Sequence, residues 1–206
     1  MKTILFVFGT RPEAIKMAPI LSLISKENQS FKTKICVTAQ HREMLDQILN
    51  LFEITPDFDL NVMKEKQGLI DLSANLLSTM KGIFESVSPD GVIVQGDTTT
   101  ALIAAQVAYL SKIPIGHVEA GLRTYDLQAP FPEEFNRQVI SKIANWHFAP
   151  TLTSKNNLLS EGVPEDKIFI TGNTVIDALL RVKTKIYQDQ NLKNKLSKGF
   201  EALCKE

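Results

Sequence analysis

Short apolar runs alternate with longer amphipathic stretches along most of the chain. Six runs have the length and composition of buried strands: Thr3–Phe8, Thr33–Thr38, Gly91–Gln95, Pro114–Val118, Trp146–Ala149 and Ile168–Thr171. The stretches between them carry apolar residues at helical spacing, as at Leu69, Leu72, Leu76, Met80 and Ile83. Apolar strands separated by helices are typical of a parallel sheet covered on both faces. The pattern therefore predicts a doubly wound, mostly parallel, Rossmann-like α/β fold.

The last stretch of the chain differs from the rest. Residues 189–206 are rich in lysine and place apolar residues at helical spacing, at Leu192, Leu196, Phe200 and Leu203. We expect residues 1–188 to form the Rossmann-like domain and residues 189–206 to form a helical tail. Two accounts of this tail stay open, since an amphipathic helix can lead toward a further domain or dock back on the first.

Composition and charge are those of an ordinary globular protein. The 206 residues suffice for one large α/β domain, with 44% hydrophobic and 22% charged residues. The 23 basic residues balance the 23 acidic ones, which argues against a nucleic-acid or membrane-surface partner. The apolar run Ile4–Phe8 is too short to span a bilayer and lacks the layout of a signal peptide. We therefore expect a cytoplasmic protein.

The cysteines and histidines do not have the spacing of metal ligands. Cys36 lies in a predicted strand and Cys204 in the polar tail, so we expect two reduced structural thiols. His117 and His147 lie in strand segments, where packing is the more common role, and His41 opens a predicted helix. We predict no metal site.

Polar segments follow three of the predicted strands, at the edge where such sheets bind ligands: Gly9–Glu13, Gly96–Thr100 and Glu119–Thr124. In the first segment, Gly9 permits a tight turn and Pro12 suits a helix start, whose free amides can bind an anion. Arg11 and Lys16 add positive charge, which together suggests a phosphate clamp. The alternative is a capped helix with two solvated cations.

Four carboxylates in or near these segments come into question for acid–base chemistry. Asp97 lies between a strand and a helix, where a helix N-cap and a catalytic carboxylate would be placed alike. Glu119 follows an apolar strand and precedes a small Ala-Gly pair, which we interpret as room for a ligand. Glu133 and Glu134 begin a helix, where acidic residues also favour the helix dipole.

These segments resemble the non-hydrolysing UDP-N-acetylglucosamine 2-epimerase family. Six ordered motifs carry the resemblance: Phe8–Pro19, Thr38–Gln47, Gly96–Thr100, Gly116–Thr124, Pro132–Arg137 and Thr171–Ala178. The resemblance implies the N-terminal half of a two-domain fold of the glycosyltransferase-B type, with the active site between the halves. In the family the second half holds most of the uridine and phosphate contacts and a histidine, and its motifs do not occur here. We therefore expect this chain alone to be inactive.

The resemblance also implies a reaction and roles for individual residues. The family interconverts UDP-GlcNAc and UDP-ManNAc by eliminating UDP to give 2-acetamidoglucal and then adding UDP back with inversion at C2. By motif, Asp97, Glu119 and Glu133 resemble its catalytic carboxylates, and Arg11 and Lys16 resemble its residues near the UDP phosphates. The resemblance implies no cofactor and a homodimeric full-length protein.

A second ligand and two other functions also enter the prediction. Bacterial members bind another UDP-GlcNAc as an activator, and Gln40, Gln67 and Glu133 resemble positions that line it. A non-catalytic nucleotide-sugar-binding module stays open as an alternative function. A hydrolysing epimerase that releases ManNAc and UDP is another alternative, although the intact opening Gly9–Glu13 argues against it.

Overall fold

The computed structural model describes residues 1–26, 30–39, 42–62, 67–191, 193–194 and 197. Within these residues, seven parallel strands form one sheet in the order β3-β2-β1-β4-β5-β6-β7. The strands are β1 Lys2–Phe8, β2 Phe31–Val37, β3 Phe58–Asp59, β4 Gly91–Gln95, β5 Ile115–Val118, β6 Trp146–Ala149 and β7 Ile168–Ile170. The order reverses at β1, which pairs with β2 on one side and with β4 on the other.

Helices connect the strands and cover both faces of the sheet. They are α1 Arg11–Ile24, α2 Arg42–Leu51, α3 Leu69–Val87, α4 Thr99–Leu110, α5 Glu133–Ile143, α6 Leu152–Ser160 and α7 Thr174–Gln188. Successive side chains of a strand point to opposite faces, so β1 contributes to two cores. Leu5 and Val7 pack with residues of α3 and α4, whereas Phe6 and Phe8 pack with residues of α1 and α2. All four β1 side chains are fully buried.

The predicted doubly wound α/β fold is confirmed. The predicted bounds of β4 and β6 agree with the structure, and those of the other four predicted strands differ by one or two residues. The edge strand β3 was not predicted, because two residues are too short to give a periodic pattern.

The chain after α7 is largely beyond what the structure describes. Helix α7 packs against α1 and ends at Gln188. The tail residues Leu192, Leu196, Phe200, Leu203 and Cys204 lie outside the described residues. The domain division at residue 188 therefore stays a prediction.

The Cys36 thiol and the lengths of the helices bear on two further expectations, a reduced structural thiol and a chain that does not span a membrane. Cys36 is a free, buried thiol in β2, and burial together with the charge of Asp59 raises its pKa to about 12. Among the described helices, none is both long and apolar enough to cross a membrane.

Candidate active site

The three polar segments meet at one edge of the sheet. Strands β1, β4 and β5 are neighbours in the sheet and run in parallel, so their carboxyl ends lie side by side. These ends lead into Gly9, Asp97 and Glu119. The edge includes the point where the strand order reverses, which is the usual ligand site of doubly wound sheets.

A close approach of backbone and side chains explains the glycine after β1. A Cβ atom on Gly9 would lie 2.1 Å from Oγ1 of Thr38 and 2.7 Å from Oγ1 of Thr100. These two hydroxyls are hydrogen-bonded to each other at 2.8 Å. Gly9 is therefore required for space between β1, β2 and α4.

Helix α1 begins with a capping box that uses much of the predicted anion site. Thr10 is the N-cap, and the buried carboxylate of Glu13 accepts hydrogen bonds from the amides of Gly9 at 3.0 Å and Thr10 at 2.8 Å. Glu13 also accepts from the Thr98 hydroxyl at 2.9 Å. Burial raises the pKa of Glu13, against the effect of these hydrogen bonds. The capping box therefore occupies the amides of Gly9 and Thr10, which precede the helix, and the phosphate clamp of Arg11 and Lys16 stays a prediction.

The two predicted cations have different surroundings. Arg11 is exposed at the first position of α1, whereas Lys16 reaches across to β5 and pairs with Glu119, with 2.5 Å between Nζ and Oε2. Lys16 therefore lies where it can meet both a carboxylate and an incoming anion.

Glu119 is held by several donors in an unusual backbone conformation. Its φ of 63° is uncommon for a residue other than glycine. The same Oε2 that meets Lys16 accepts a hydrogen bond from the side-chain amide of Gln95, and Oε1 lies 3.5 Å from Nδ2 of Asn173. The Glu119 side chain is 13% exposed, so its carboxylate, at the strand-end edge of the sheet, is largely shielded from solvent.

The Ala-Gly pair after Glu119 does not leave room for a ligand. Ala120 is fully buried, and a Cβ atom on Gly121 would lie 2.2 Å from the backbone oxygen of Ser154. Gly121 also has a φ of 88°, which favours glycine. The sequence interpretation is wrong here, because these small residues serve to pack the turn against α6.

Asp97 is not the N-cap of α4. That position belongs to Thr98, whose hydroxyl accepts a hydrogen bond from the amide of Ala101 at 3.0 Å. The Asp97 carboxylate instead forms an ion pair with Arg137, and its backbone oxygen accepts from Nδ2 of Asn136 at 2.7 Å. The N-cap interpretation is therefore wrong, and Asp97 is free for another role.

The pKa of Asp97 is raised above its ordinary value, and burial is the largest cause. The charge and hydrogen bond of Arg137 oppose that rise. The negative charges of Glu119 and Glu133 raise the pKa further. The geometry agrees with this, since Asp97 and Glu119 follow the neighbouring strands β4 and β5, and Arg137 of α5 pairs with Asp97 one helical turn after Glu133.

The neighbours Glu133 and Glu134 have separate environments. Glu133 is half-buried at the first position of α5. Glu134 is fully buried and accepts hydrogen bonds from the amides of Thr124 and Tyr125, both at 3.1 Å, and from Nε2 of Gln138 at 2.8 Å. Glu134 therefore anchors the loop after β5, while the role of Glu133 in the candidate site stays a prediction.

Two histidines, His117 and His147, are buried in strands β5 and β6. His117 is buried in β5, with Nε2 2.7 Å from the backbone oxygen of Gly96, and burial lowers its pKa to about 3. Burial also lowers the pKa of His147 to about 4. Both are packing residues, as expected, and His41 lies outside the described residues. Among the described side chains, no group of three or more His, Cys, Asp and Glu could hold a metal ion.

The proposed second ligand site is described only in part. Gln40 lies outside the described residues, and Gln67 is half-buried just before α3.

The sequence did not predict three contacts of the carboxylates, namely those from Gln95, Arg137 and Asn173. Gln95 carried a signal, since it is the single polar residue within the predicted strand Gly91–Gln95.

Known proteins match the chain over nearly its whole length. The model of the family described as UDP-N-acetylglucosamine 2-epimerase matches residues 24–204. The UDP-N-acetylglucosamine 2-epimerase of Neisseria meningitidis serogroup A is 53% identical over 197 residues, which are 96% of this chain and 52% of the relative.

Solved structures agree with this match. The crystal structure of UDP-GlcNAc 2-epimerase from Neisseria meningitidis bound to UDP-GlcNAc has a TM-score of 0.92 at 52% identity, covering 97% of this chain and 53% of that one. The Methanocaldococcus jannaschii UDP-GlcNAc 2-epimerase in complex with UDP-GlcNAc and UDP has a TM-score of 0.87 at 35% identity, covering 95% and 53%. The chain spans about half the length of these relatives.

Proposed function

Because the chain belongs to the UDP-N-acetylglucosamine 2-epimerase family, we propose that it supplies the carboxylate side of an active site that interconverts UDP-GlcNAc and UDP-ManNAc. The observation that carries this proposal is that Asp97 and Glu119 follow neighbouring parallel strands. Arg137, one helical turn after Glu133 on α5, pairs with Asp97 at the same edge. Relatives named for this activity, including two solved with UDP-GlcNAc, support it.

The chemistry of the reaction explains why several carboxylates are needed. In the elimination step a base removes the proton from C2, the C1–O bond breaks, and UDP leaves with the bonding electrons to give a C1=C2 double bond. The C2 proton is only weakly acidic, so a placed base and a stabilised leaving group must act together. Re-addition with inversion returns a proton to C2 from the opposite face, which requires a second acid–base group.

The surroundings of Asp97 and Glu119 differ in a way that suits one acid and one base. Burial and, to a smaller extent, the negative charges of Glu119 and Glu133 raise the pKa of Asp97 against the opposing effect of Arg137. A raised pKa favours a carboxyl group that can hold a proton. Glu119 instead receives hydrogen bonds from Lys16 and Gln95. Two carboxyl groups in such different environments can serve as acid and base in the same cycle.

Arg11 and Lys16 are proposed to meet the UDP phosphates. The exposed Arg11 guanidinium can form paired hydrogen bonds with a phosphate. Lys16 would exchange its contact with Glu119 for one with the departing UDP, which couples leaving-group stabilisation to the carboxylate. Gln40, Gln67 and Glu133 are proposed to line the activating UDP-GlcNAc.

We propose that the second half found in the relatives completes the site and packs on α7. This helix exposes Ile176, Leu179 and Leu180 by 59%, 66% and 54%. A row of exposed apolar side chains of this kind marks an interaction surface. Homodimerisation of the full-length protein and a cytoplasmic location belong to the same proposal.

Deuterium exchange at C2 tests the reaction. The complete natural polypeptide that carries this chain is incubated with UDP-GlcNAc in heavy water, and deuterium at C2 of both nucleotide sugars is measured by NMR. Asp97→Asn, Glu119→Gln and Glu133→Gln should each slow turnover by about 100-fold or more if the group acts as acid or base. Wild-type rates in all three variants would contradict these roles.

The same experiment separates the alternative functions. Absence of deuterium with calorimetric binding of UDP-GlcNAc would favour a non-catalytic binding module. Release of free ManNAc and UDP would favour a hydrolysing epimerase. This chain alone should show no exchange, since it spans about half of the relatives' length.

A further inference from the structure

We propose that Arg137 is a positioning residue, which holds the Asp97 carboxylate in the orientation needed for proton transfer despite the repelling charges of Glu119 and Glu133. This inference rests on the proposed function. Arg137 lies in the second turn of α5, four residues after Glu133. Its guanidinium touches two carboxylates, since Nη2 pairs with Oδ2 of Asp97 and Nη1 lies 3.3 Å from Oε2 of Glu134.

The Glu134 end of this bridge is buried and hydrogen-bonded. Glu134 is fully buried, and its oxygens accept hydrogen bonds from two backbone amides and from Gln138. The Arg137 side chain is 12% exposed, so it is packed as well as paired. The guanidinium is therefore fixed at one end by Glu134 and presents its other end to Asp97.

The backbone beside Asp97 is fixed independently of Arg137. Asn136 donates to the Asp97 backbone oxygen, and His117 holds the backbone oxygen of Gly96. The amide of Gly96 donates to the backbone oxygen of Val118 at 2.9 Å. Because the turn is already held, loss of Arg137 should release the Asp97 side chain and leave the turn in place.

The charges around Asp97 make this contact important. Glu119 at the end of β5 and Glu133 on α5 repel the Asp97 charge, and Lys16 on α1 is paired with Glu119. Burial raises the pKa of Asp97 most, and Arg137 is the group that lowers it. Without Arg137, Asp97 would hold its proton to higher pH and its carboxyl group would be free to rotate.

The first test is the titration of Asp97 in this chain. The ¹³C signal of its carboxyl carbon is identified by its loss in Asp97→Asn and followed with pH. Arg137→Met should raise the pKa of Asp97 by about 1 or more, because it removes the opposing charge. Arg137→Lys, which keeps the charge, should leave the pKa within about 0.5 of the wild-type value. An unchanged pKa in Arg137→Met would overturn the inference.

The second test is C2 deuterium exchange in the complete natural polypeptide. Arg137→Met should lower kcat by about 100-fold with a much smaller change in KM, as expected for a misplaced catalytic group. Arg137→Lys should recover only part of the rate, because a single ammonium group cannot bridge Asp97 and Glu134 with the geometry of a guanidinium. Lys155→Met, which breaks an exposed ion pair with Glu165, is the matched control and should exchange at the wild-type rate.

The outcomes separate this inference from the proposed function. If the wild-type protein does not exchange deuterium, the epimerase proposal fails, and the Asp97 titration still tests the role of Arg137. If the wild type exchanges and Arg137→Met does so equally fast, the positioning role is wrong. Should Arg137→Met fail to fold, Arg137→Gln replaces it in both measurements, with the same expected directions.

Discussion

Glu133 and Glu134 are adjacent in sequence, and the structure gives them different surroundings. Glu133 is half-buried beside the site, whereas Glu134 is buried under hydrogen bonds from Thr124, Tyr125 and Gln138. The two glutamates therefore offer a matched pair of isosteric changes. Glu133→Gln tests the proposed chemistry, and Glu134→Gln tests how far its buried hydrogen bonds stabilise the fold.

We expect Glu134→Gln to lower the free energy of unfolding of this chain by about 2 to 3 kcal/mol, because an amide group leaves buried donors without an acceptor. Glu133→Gln should leave unfolding nearly unchanged and slow C2 deuterium exchange in the complete polypeptide. Urea denaturation and the exchange assay measure the two effects. A stability loss in Glu133→Gln as large as that in Glu134→Gln would contradict the assignment.

The stabilising effect of Glu134 should depend on pH. Burial alone would raise its pKa, but hydrogen bonds from Gln138, Thr124 and Tyr125 and the charge of Arg137 outweigh burial and lower it. A carboxyl group with a lowered pKa stabilises the fold above its unfolded pKa, and the effect is lost as pH falls through the folded pKa. The stability difference between wild type and Glu134→Gln should thus be full at pH 7 and shrink below about pH 4.3. Urea denaturation across this range checks it, and a constant difference would refute it.

For single residues, the sequence predicted that Asp97, Glu119 and Lys16 lie at the strand-end edge, but not which side chains pair with them. Gln95 meets Glu119 and Arg137 meets Asp97 across separations of 24 and 40 residues. No local pattern encodes such contacts. The N-cap role of Asp97 was locally plausible, yet Thr98 is one residue closer to the helix and takes it.

Elements were predicted well wherever burial imposes a continuous apolar run. Strands β4 and β6 were predicted at their observed bounds because each is flanked by polar or turn residues. The two-residue β3 was missed, since it pairs only with the last residues of β2. Leu69 was assigned to the apolar face of α3, yet it is 44% exposed, because the first turn of α3 extends past the core.

Gly9 and Gly82 permit a test of how tightly the first strand end is packed. Gly9→Ala should lower the free energy of unfolding by about 1 to 3 kcal/mol, because its methyl group would overlap the Thr38 and Thr100 hydroxyls. Thr38→Ala should relieve part of this loss when the two changes are combined. The control is Gly82→Ala. Gly82 lies within α3, away from its ends, and no atom lies within 4 Å of the added Cβ.

Gly82→Ala should stabilise the chain by about 0.5 to 1 kcal/mol, since alanine favours a helix interior over glycine. Thermal or urea unfolding measures Gly9→Ala, Thr38→Ala, their combination and Gly82→Ala. Equal effects of Gly9→Ala and Gly82→Ala would show that the β1 turn has more space than the structure indicates.

For the whole molecule, the alternation of strands and helices was enough to predict a doubly wound sheet and the edge that carries the site. Chain order places the segments after β1, β4 and β5 at that edge. The surface that the proposed second half would cover was beyond prediction from periodicity, because the partners of a surface are not encoded in its own pattern of apolar residues. Helix α7 is where this limit can be tested.

Leu179 is the most exposed of the apolar residues Ile176, Leu179 and Leu180 on α7, while Ala178 is buried and the helix packs on α1. If the second half of the protein covers this face, Leu179→Glu should leave the unfolding midpoint of this chain unchanged. In the complete polypeptide it should cost about 1.5 to 3 kcal/mol of stability, the value of one buried leucine, and lower the exchange rate.

Lys183→Glu changes charge in the same direction on the same helix at an exposed polar position, and it should have little effect in either protein. Calorimetric unfolding of both proteins with both variants gives the comparison. A large loss caused by Leu179→Glu in this chain alone would mean that the apolar face belongs to this domain. An unchanged complete polypeptide would mean that the second half packs elsewhere, because a glutamate cannot be buried there without a cost.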